Sequence, residues 1–307
     1  MTLAPTQKKQ LAWITAGAVA VFLFMRFLPT GTNLSHMDFR VNAKNSIEFC
    51  DPLNPQFIPV VAVASPVTMA LTNEGPPPVP GVEARFTLIL RTASGKPIAP
   101  EDLLVTHTKL LHLLIVDPSL DDYQHVHPEP GRTRGEWVFA FTPKREGRYR
   151  MFADFTPVAT ARGLYASSDV PVGRVGLAED VPAATQHLSA WAVEHDDFRF
   201  ELIPAALPIT ARKPADLRLR ITRPAGGAVP MQAVMGAFAH LVAFDAARSG
   251  FAHLHPLEAD LDQRLDAVRP ELNFKVTIPR AGRYVIWAQV NLGGRETFVP
   301  FWFEVAP

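Results

Sequence analysis

The chain has 307 residues, 48% of them hydrophobic, and its 30 basic and 30 acidic side chains cancel to no net charge. That length corresponds to about two domains with packed cores, and the absence of long charge blocks removes any electrostatic footprint for nucleic acid or an anionic membrane surface. A single cysteine, Cys50, excludes an intramolecular disulfide framework. The 29 prolines, together with the lack of a sustained 3.6-residue apolar period after the N-terminus, favour many short strands with proline at edges and turns. The expected fold class is all-β.

The first element is the apolar run Leu11 to Leu28, preceded by Lys8 and Lys9 and interrupted by Arg26 near its far end. At 1.5 Å per residue it reaches about 27 Å, close to the hydrocarbon thickness of a bilayer, and Arg26 is placed to snorkel to an interface. No A-x-A-like cleavage site follows, so residues 11–29 are expected to form an uncleaved transmembrane anchor. Lys8 and Lys9 would then hold residues 1–10 in the cytoplasm and leave the rest facing outward. Residues 30–59 read as a stalk, because Asp51-Pro52-Leu53-Asn54-Pro55 and Pro59 suit extended or turning backbone. His36, Met37 and Cys50 are soft-metal donors by type, but nothing in their spacing brings them together, and a surface or packing role is expected.

A first β module is expected over residues 60–175. Phe86, Leu88 and Leu90 alternate with polar neighbours, the period of a strand with one buried face. Glu136 to Phe141, Gly147 to Phe155 and Ala166 to Val172 continue in the same style. After a connector at 176–195, a second module over 196–307 repeats the order. Phe198, Phe200 and Leu202 alternate, as do Leu217, Leu219 and Ile221, and Gly282-Arg283-Tyr284 echoes Gly147-Arg148-Tyr149. Gly-x-Tyr shortly before a late strand, in a module of some seven strands, fits an immunoglobulin-like sandwich whose tyrosine ties down a corner. The architecture predicted is two tandem immunoglobulin-like β-sandwiches after an N-terminal transmembrane helix.

The strongest functional signal lies inside the repeat. His112-Leu-Leu-Ile-Val-Asp-Pro-Ser-Leu-Asp-Asp-Tyr-Gln-His125-Val-His127-Pro128 returns without a gap as His240-Leu-Val-Ala-Phe-Asp-Ala-Ala-Arg-Ser-Gly-Phe-Ala-His253-Leu-His255-Pro256. Six of the 10 histidines fall in these two segments, while the apolar positions between them have drifted. If Asp117 to Asp122 and Asp245 to Gly250 are turns, each segment is a hairpin that opposes its first histidine to the His-x-His pair. Opposed Cβ atoms lie about 4.5–5.5 Å apart and residues i and i+2 share a face, so three imidazoles can converge.

Three imidazoles without a nearby thiolate suit a transition metal with an open fourth position, copper by affinity order and zinc as the alternative. The metal candidates are therefore His112, His125 and His127 in one module and His240, His253 and His255 in the other. His107, five residues before His112, and Met235, five before His240, would be an extra ligand that differs between the sites. Asp117 and Asp245 are expected to cap turns instead. Duplication of a fold also reproduces core residues, so the alternative is a structural or protein-binding sandwich module of a membrane assembly with packed, hydrogen-bonded histidines.

The segment Met235-Gly236-Ala237-Phe238-Ala239-His240-Leu241-Val242, with Phe251-Ala252-His253-Leu254-His255-Pro256, resembles a motif of exported or membrane-anchored bacterial proteins, some described as heavy-metal-binding. Both modules are similar to the YtkA-like family of exported β-sandwiches associated with copper handling. That resemblance implies metal binding or delivery at a bacterial inner membrane, with the sandwiches facing the periplasm or cell exterior and a metal-receiving membrane protein as a partner. No catalytic residues are assigned. Glu129 and Glu258, the carboxylates nearest the motifs, read as solvated loop residues, and neither a nucleophile elbow nor a phosphate-binding loop is present. Binding is expected to weaken as pH falls through the imidazole range.

Overall fold

The computed structural model describes residues 4–26, 34–39, 55–173 and 187–307, in two units, Met1–Asn33 and Leu34–Pro307. Cys50, the end of the expected anchor, most of the stalk and residues 174–186 lie outside the described residues. The first unit holds one helix, Pro5–Arg26, long and apolar enough to cross a membrane by length and composition. It starts earlier than the apolar run, so Lys8 and Lys9 sit within it. Pro5 suits the first turn, where its missing N–H has no intrahelical partner, and Gln7 to Gln10 are good helix formers that extend it outward.

In the second unit the strands follow the predicted alternation. Ala84–Thr92 buries Phe86, Leu88 and Leu90 and turns Arg85 and Arg91 to solvent. It pairs with Val67–Asn73 on one side and Glu136–Phe141 on the other, with Glu129–Pro130 at the edge. The facing sheet is built on Gly147–Pro157, which pairs with Leu111–Val116, Leu164–Val172 and Leu103–Leu104, while Tyr123–Val126 pairs with Leu111–Val116. The second module repeats this. Ala192–His195, Phe198–Pro204, Pro214–Thr222 and Glu271–Thr277 form one sheet. Ile209–Thr210, Arg295–Ala306, Gly282–Leu292, Ala239–Asp245 and Phe251–Leu254 form the other, with Met231–Gln232 on Gly282–Leu292. The fold is a pair of β-sandwiches, antiparallel except where Ile209–Thr210 runs parallel to the end of Arg295–Ala306.

The repeated tyrosines do tie corners. Tyr149 donates from Oη to Asp122 Oδ2 at 2.7 Å and accepts the Arg145 N–H at 3.1 Å, and Tyr284 Oη donates to the Arg280 carbonyl at 3.0 Å. Asp117 and Asp245 are turn caps, as expected. Asp117 accepts the backbone N–H groups of Ser119, Asp121 and Asp122, and Asp245 accepts both the backbone N–H and the hydroxyl of Ser249.

What the alternation did not announce is how the sandwiches meet. The strands carrying the first histidines, LHLLIV and AHLVAFD, are buried on both faces apart from the terminal Asp245. Leu111, Leu113 and Ile115 face the first core, and Leu241 and Ala243 the second. The opposite faces, with Leu114, Val116, Tyr123 and Phe152 from one module and Val242, Phe244, Phe251 and Trp287 from the other, share a third apolar cluster. The two inner sheets therefore pack on each other, and each large side chain removed from water there contributes about 1.5–3 kcal/mol. Polar groups also cross. Trp287 donates to the Leu120 carbonyl at 3.2 Å, and Arg150 and Arg248 each donate to a backbone carbonyl of the other module, at 2.9 and 2.6 Å.

Two segments beside the expected boundaries are placed by tertiary contacts. Residues 55–59, read as the end of a stalk, and residues 60–61, read as the start of the first module, do not run free. They bind along the second module, where Phe57 N–H bonds Thr277 at 3.0 Å and Ile58 and Phe251 exchange backbone hydrogen bonds of 2.7 and 3.1 Å. Phe57 enters the second core, and Ile58 and Val60 the cluster between the modules. The prolines that spoke for a stalk are compatible with a strap because Pro55 and Pro59 have no N–H to satisfy, while Phe57, Ile58 and Val61 donate to the second module. Likewise the second module begins at Ala192, inside the expected connector, and His187 before it stacks on Trp302 with ring centroids 4.3 Å apart.

Candidate metal centre

Each histidine segment is preceded by one tight turn. Thr106 and Lys109 exchange backbone hydrogen bonds of 2.8 and 3.0 Å, and Val234 and Ala237 do so at 2.7 and 3.1 Å. The central residues have left-handed backbone, φ 48° and 68° at His107 and Thr108 and 49° and 74° at Met235 and Gly236. Positive φ at both central positions is the two-residue turn whose twist matches its flanking strands. The Thr106 and Val234 carbonyls, which already close these turns, each accept a second hydrogen bond from the first histidine of the triad. His112 Nε2 lies 3.0 Å from the Thr106 oxygen, and His240 Nε2 lies 3.0 Å from that of Val234.

These contacts assign the tautomers. With Nε2–H donated to a carbonyl, the neutral His112 and His240 rings keep a bare lone pair on Nδ1. The His-x-His rings are oriented from across the interface. His125 Nδ1–H donates to Gln289 Oε1 at 2.9 Å, an amide whose own Nε2 donates to Glu296, and His253 Nδ1–H donates to Asp154 Oδ2 at 3.2 Å. Their free nitrogens are then Nε2. His112 Nδ1 faces His125 Nε2 at 3.1 Å and His240 Nδ1 faces His253 Nε2 at 3.2 Å, lone pair against lone pair. The third member of each triad, His127 or His255, has an Nε2 that is buried without a hydrogen-bond partner.

In each triad one ligand nitrogen per ring lies within 4.8 Å of the others, in a buried or half-buried setting. An ion about 2.0–2.1 Å from each nitrogen needs the nitrogens about 3.4 Å apart, which the facing pair already approaches. Leaving a buried donor or acceptor unpaired costs about 1–3 kcal/mol. His127 and His255 Nε2 are thus the residues whose arrangement a bound cation would explain. The donor set of three neutral imidazoles fits a transition metal.

Burial depresses the basicity of all seven histidines here, and their mutual proximity lowers most of them further. His127 is held down to about 3 and His240 to about 4, while His125, His253 and His255 lie well below the ordinary imidazole value. Asp154 is pushed up by burial, with His112 and His107 pulling it the other way. Neutral imidazole is the form that coordinates, so these rings stay ready to bind below the range expected from sequence, and loss of binding with acid moves to lower pH.

The structure brings together His112, His125 and His127, and separately His240, His253 and His255. His107 is placed differently from expectation. Its ring stacks on His255 of the second triad, centroids 3.5 Å apart and 15° between planes, while it is 6.2 Å from His112. The turn at its base points across the interface, which sequence distance from His112 could not reveal. Met235 is half-buried in the equivalent turn. His36 is in a short 3₁₀ turn with Met37, which is exposed. Glu258 is engaged by Asn273.

Asp154 and Gln289 were missed. Both lie seven residues after the repeated glycine, in Met151-Phe-Ala-Asp-Phe and Ile286-Trp-Ala-Gln-Val, and pair in register with His112 and His240. A polar residue at the same place in two apolar strands was the signal. Beside Asp154 a cleft of about 820 Å³, lined also by His107, His112, Tyr165, His253 and His255, reaches the site.

A family profile described as "Domain of unknown function (DUF8832)" matches residues 62–170 and again 192–307. The chain belongs to the DUF8832 family. Two DUF8832 matches, one per sandwich, put one histidine triad in each. No curated protein matches the chain. Among solved structures it is similar to the Escherichia coli adhesin FdeC, at 14% identity over 78% of this chain and 64% of that one, TM-score 0.23. It is also similar to a putative membrane-anchored protein of Corynebacterium diphtheriae, at 8% over 80% and 59%, TM-score 0.24. Fibronectin(III)-like modules of Clostridium thermocellum CbhA match at 8% over 77% and 94%, TM-score 0.20. The DUF8832 chain spans less than two thirds of the first two. At these scores the likenesses carry no functional weight, and the fold assignment rests on the strand pairing itself.

Proposed function

We propose that this protein binds transition-metal ions, copper before zinc, at its two three-histidine sites and passes them on without catalysis. The observation that carries the reading is the lone-pair geometry. In each triad two bare nitrogens face each other at 3.1 or 3.2 Å and a third is buried with no partner. If the rings served only to hydrogen bond one another, one ring of each facing pair would have to donate inward and abandon its carbonyl, amide or carboxylate partner. A cation satisfies all three nitrogens at once. Neutral imidazoles with no thiolate among them suit Cu(II) or Zn(II), and the affinity order favours copper.

The helix Pro5–Arg26 anchors the protein in a membrane with Lys8 and Lys9 at its cytoplasmic end, and the sandwiches face outward, where a metal-receiving membrane protein is the partner. Similarity to the YtkA-like copper-handling sandwiches is consistent with this assignment, on the histidine segments alone. The full chain in detergent micelles, titrated with Cu(II) and with Zn(II), is expected to take up two ions. Changing His125 and His127 together to Ala, or His253 and His255 together to Ala, is expected to remove one each. No uptake at micromolar metal would refute the proposal and leave the histidines as packing residues.

A further inference from the structure

We propose that the two triads make one asymmetric two-metal centre, in which the His240, His253 and His255 site is the stronger because the first module completes it with Asp154 and His107. This rests on the metal-binding reading above and goes further, since independent sites in each sandwich would satisfy that reading equally.

The triads are too close to be independent. Ring centroids of His125 and His253 are 5.4 Å apart, those of His112 and His253 5.7 Å, and those of His125 and His240 6.2 Å. Ions bound about 2 Å from their nitrogens would lie no more than about 12 Å apart, within reach of each other's charge in a site that excludes most water. Each triad also takes its orienting hydrogen bond from the other module, so neither sandwich alone has a finished site.

Duplication should have made the two halves alike, and at the orienting position they differ. Behind His253 stands a carboxylate, Asp154; behind His125 stands a neutral amide, Gln289. A carboxylate on the far nitrogen of a ligating histidine raises its donor strength and offsets the charge of the ion, whereas an amide fixes only the ring orientation. His107 adds to the same side. It stacks on His255 and lies 5.9 and 6.2 Å from His240 and His253, offering the second site a fourth imidazole at the mouth of the cleft. The equivalent turn in the second module carries Met235, whose thioether is a poor donor to a divalent ion. A divalent ion therefore enters the second site first, and its charge weakens entry of the next.

The test titrates the full chain in detergent micelles with Cu(II), following heat and electron paramagnetic resonance. Two unequal steps are expected, the first lost in the His253→Ala, His255→Ala double variant and the second in the His125→Ala, His127→Ala double variant. Asp154→Asn should weaken the first step by about 10- to 100-fold and the second far less, although Asp154 belongs to the first module. His107→Ala should weaken the first step alone. Gln289→Glu should strengthen the second step and narrow the gap, which tests the same asymmetry from the other side should Asp154→Asn fail to fold. At two equivalents the spectrum should show dipolar broadening that is absent at one. Two equal, magnetically isolated ions indifferent to Asp154→Asn and Gln289→Glu would overturn the asymmetric centre while leaving two metal sites. No copper uptake would overturn both.

Discussion

Acidifying the metal-free protein from neutrality to about pH 4.5 is expected to weaken the contact between the sandwiches by several kcal/mol. His240 carries the clearest share. It is fully buried, donates Nε2–H to the Val234 carbonyl, and is held down to about 4 by burial, against 6.5 for an imidazole in the unfolded chain. Between those two values the unfolded state binds a proton that the folded state refuses. The stabilisation is therefore complete above about pH 6.5 and is lost as pH falls towards 4. A span of about 2.5 pH units at 1.36 kcal/mol each makes about 3 kcal/mol from this one side chain. His127, held down to about 3 but only half-buried, adds a smaller share because solvent screens it. Total stabilities of about 5–15 kcal/mol make such a loss visible. Urea unfolding at several pH values, followed by the fluorescence of Trp287 and Trp302 in the interface cluster, measures it. A stability unchanged within about 1 kcal/mol from pH 6.5 to 4.5, or ring resonances of these histidines titrating near 6.5, would refute the argument. Copper should move the acid transition lower, because the ion competes with protons for the same nitrogens.

Three other perturbations have defined outcomes. At Gly250 an added Cβ would meet the Ile58 carbonyl at 1.8 Å, so Gly250→Ala should eject the 55–61 strap and cost about 2–4 kcal/mol in backbone hydrogen bonds and the burial of Ile58, read as faster hydrogen exchange at Ile58 and Phe251. Tyr149→Phe removes a donor from the buried Asp122 carboxylate and should cost about 1–3 kcal/mol in calorimetry, with the metal sites intact. Tyr123→Phe should be neutral or stabilising by up to about 1 kcal/mol, because the Tyr123 hydroxyl is buried among Phe244, Trp287 and Phe298 with no hydrogen-bond partner; a loss above about 2 kcal/mol would show that the hydroxyl has one.

Most of the fold was legible because a strand in a two-sheet sandwich records its environment locally. Phe86, Leu88 and Leu90 alternate with polar residues since one side faces a core and the other water. Likewise Gly-x-Tyr marks a corner because each tyrosine hydroxyl meets the backbone four residues back, at the Arg145 N–H or the Arg280 carbonyl. The hairpin spacing of His112, His125 and His127 was readable for the same reason, as opposed residues on paired strands are neighbours by construction. The doubly buried runs Leu111–Val116 and Ala239–Asp245 were the place where alternation failed. Their lack of a polar face was the trace of the second packing surface.

The sequence by itself determined the all-β class, the duplicated sandwich and the composition of each triad, because those follow from periodicity and spacing within about 20 residues. Only the tertiary structure decided that the two inner sheets face each other, that residues 55–61 strap the second module, that His107 serves the opposite triad, and that Asp154 and Gln289 orient rings across the interface. Those contacts join residues about 100 to 220 positions apart. The missing polar face of Leu111–Val116 and Ala239–Asp245 signals locally that a second surface is covered but not which sheet covers it, so the assembly of two half-made sites into one centre is a property of packing, not of pattern.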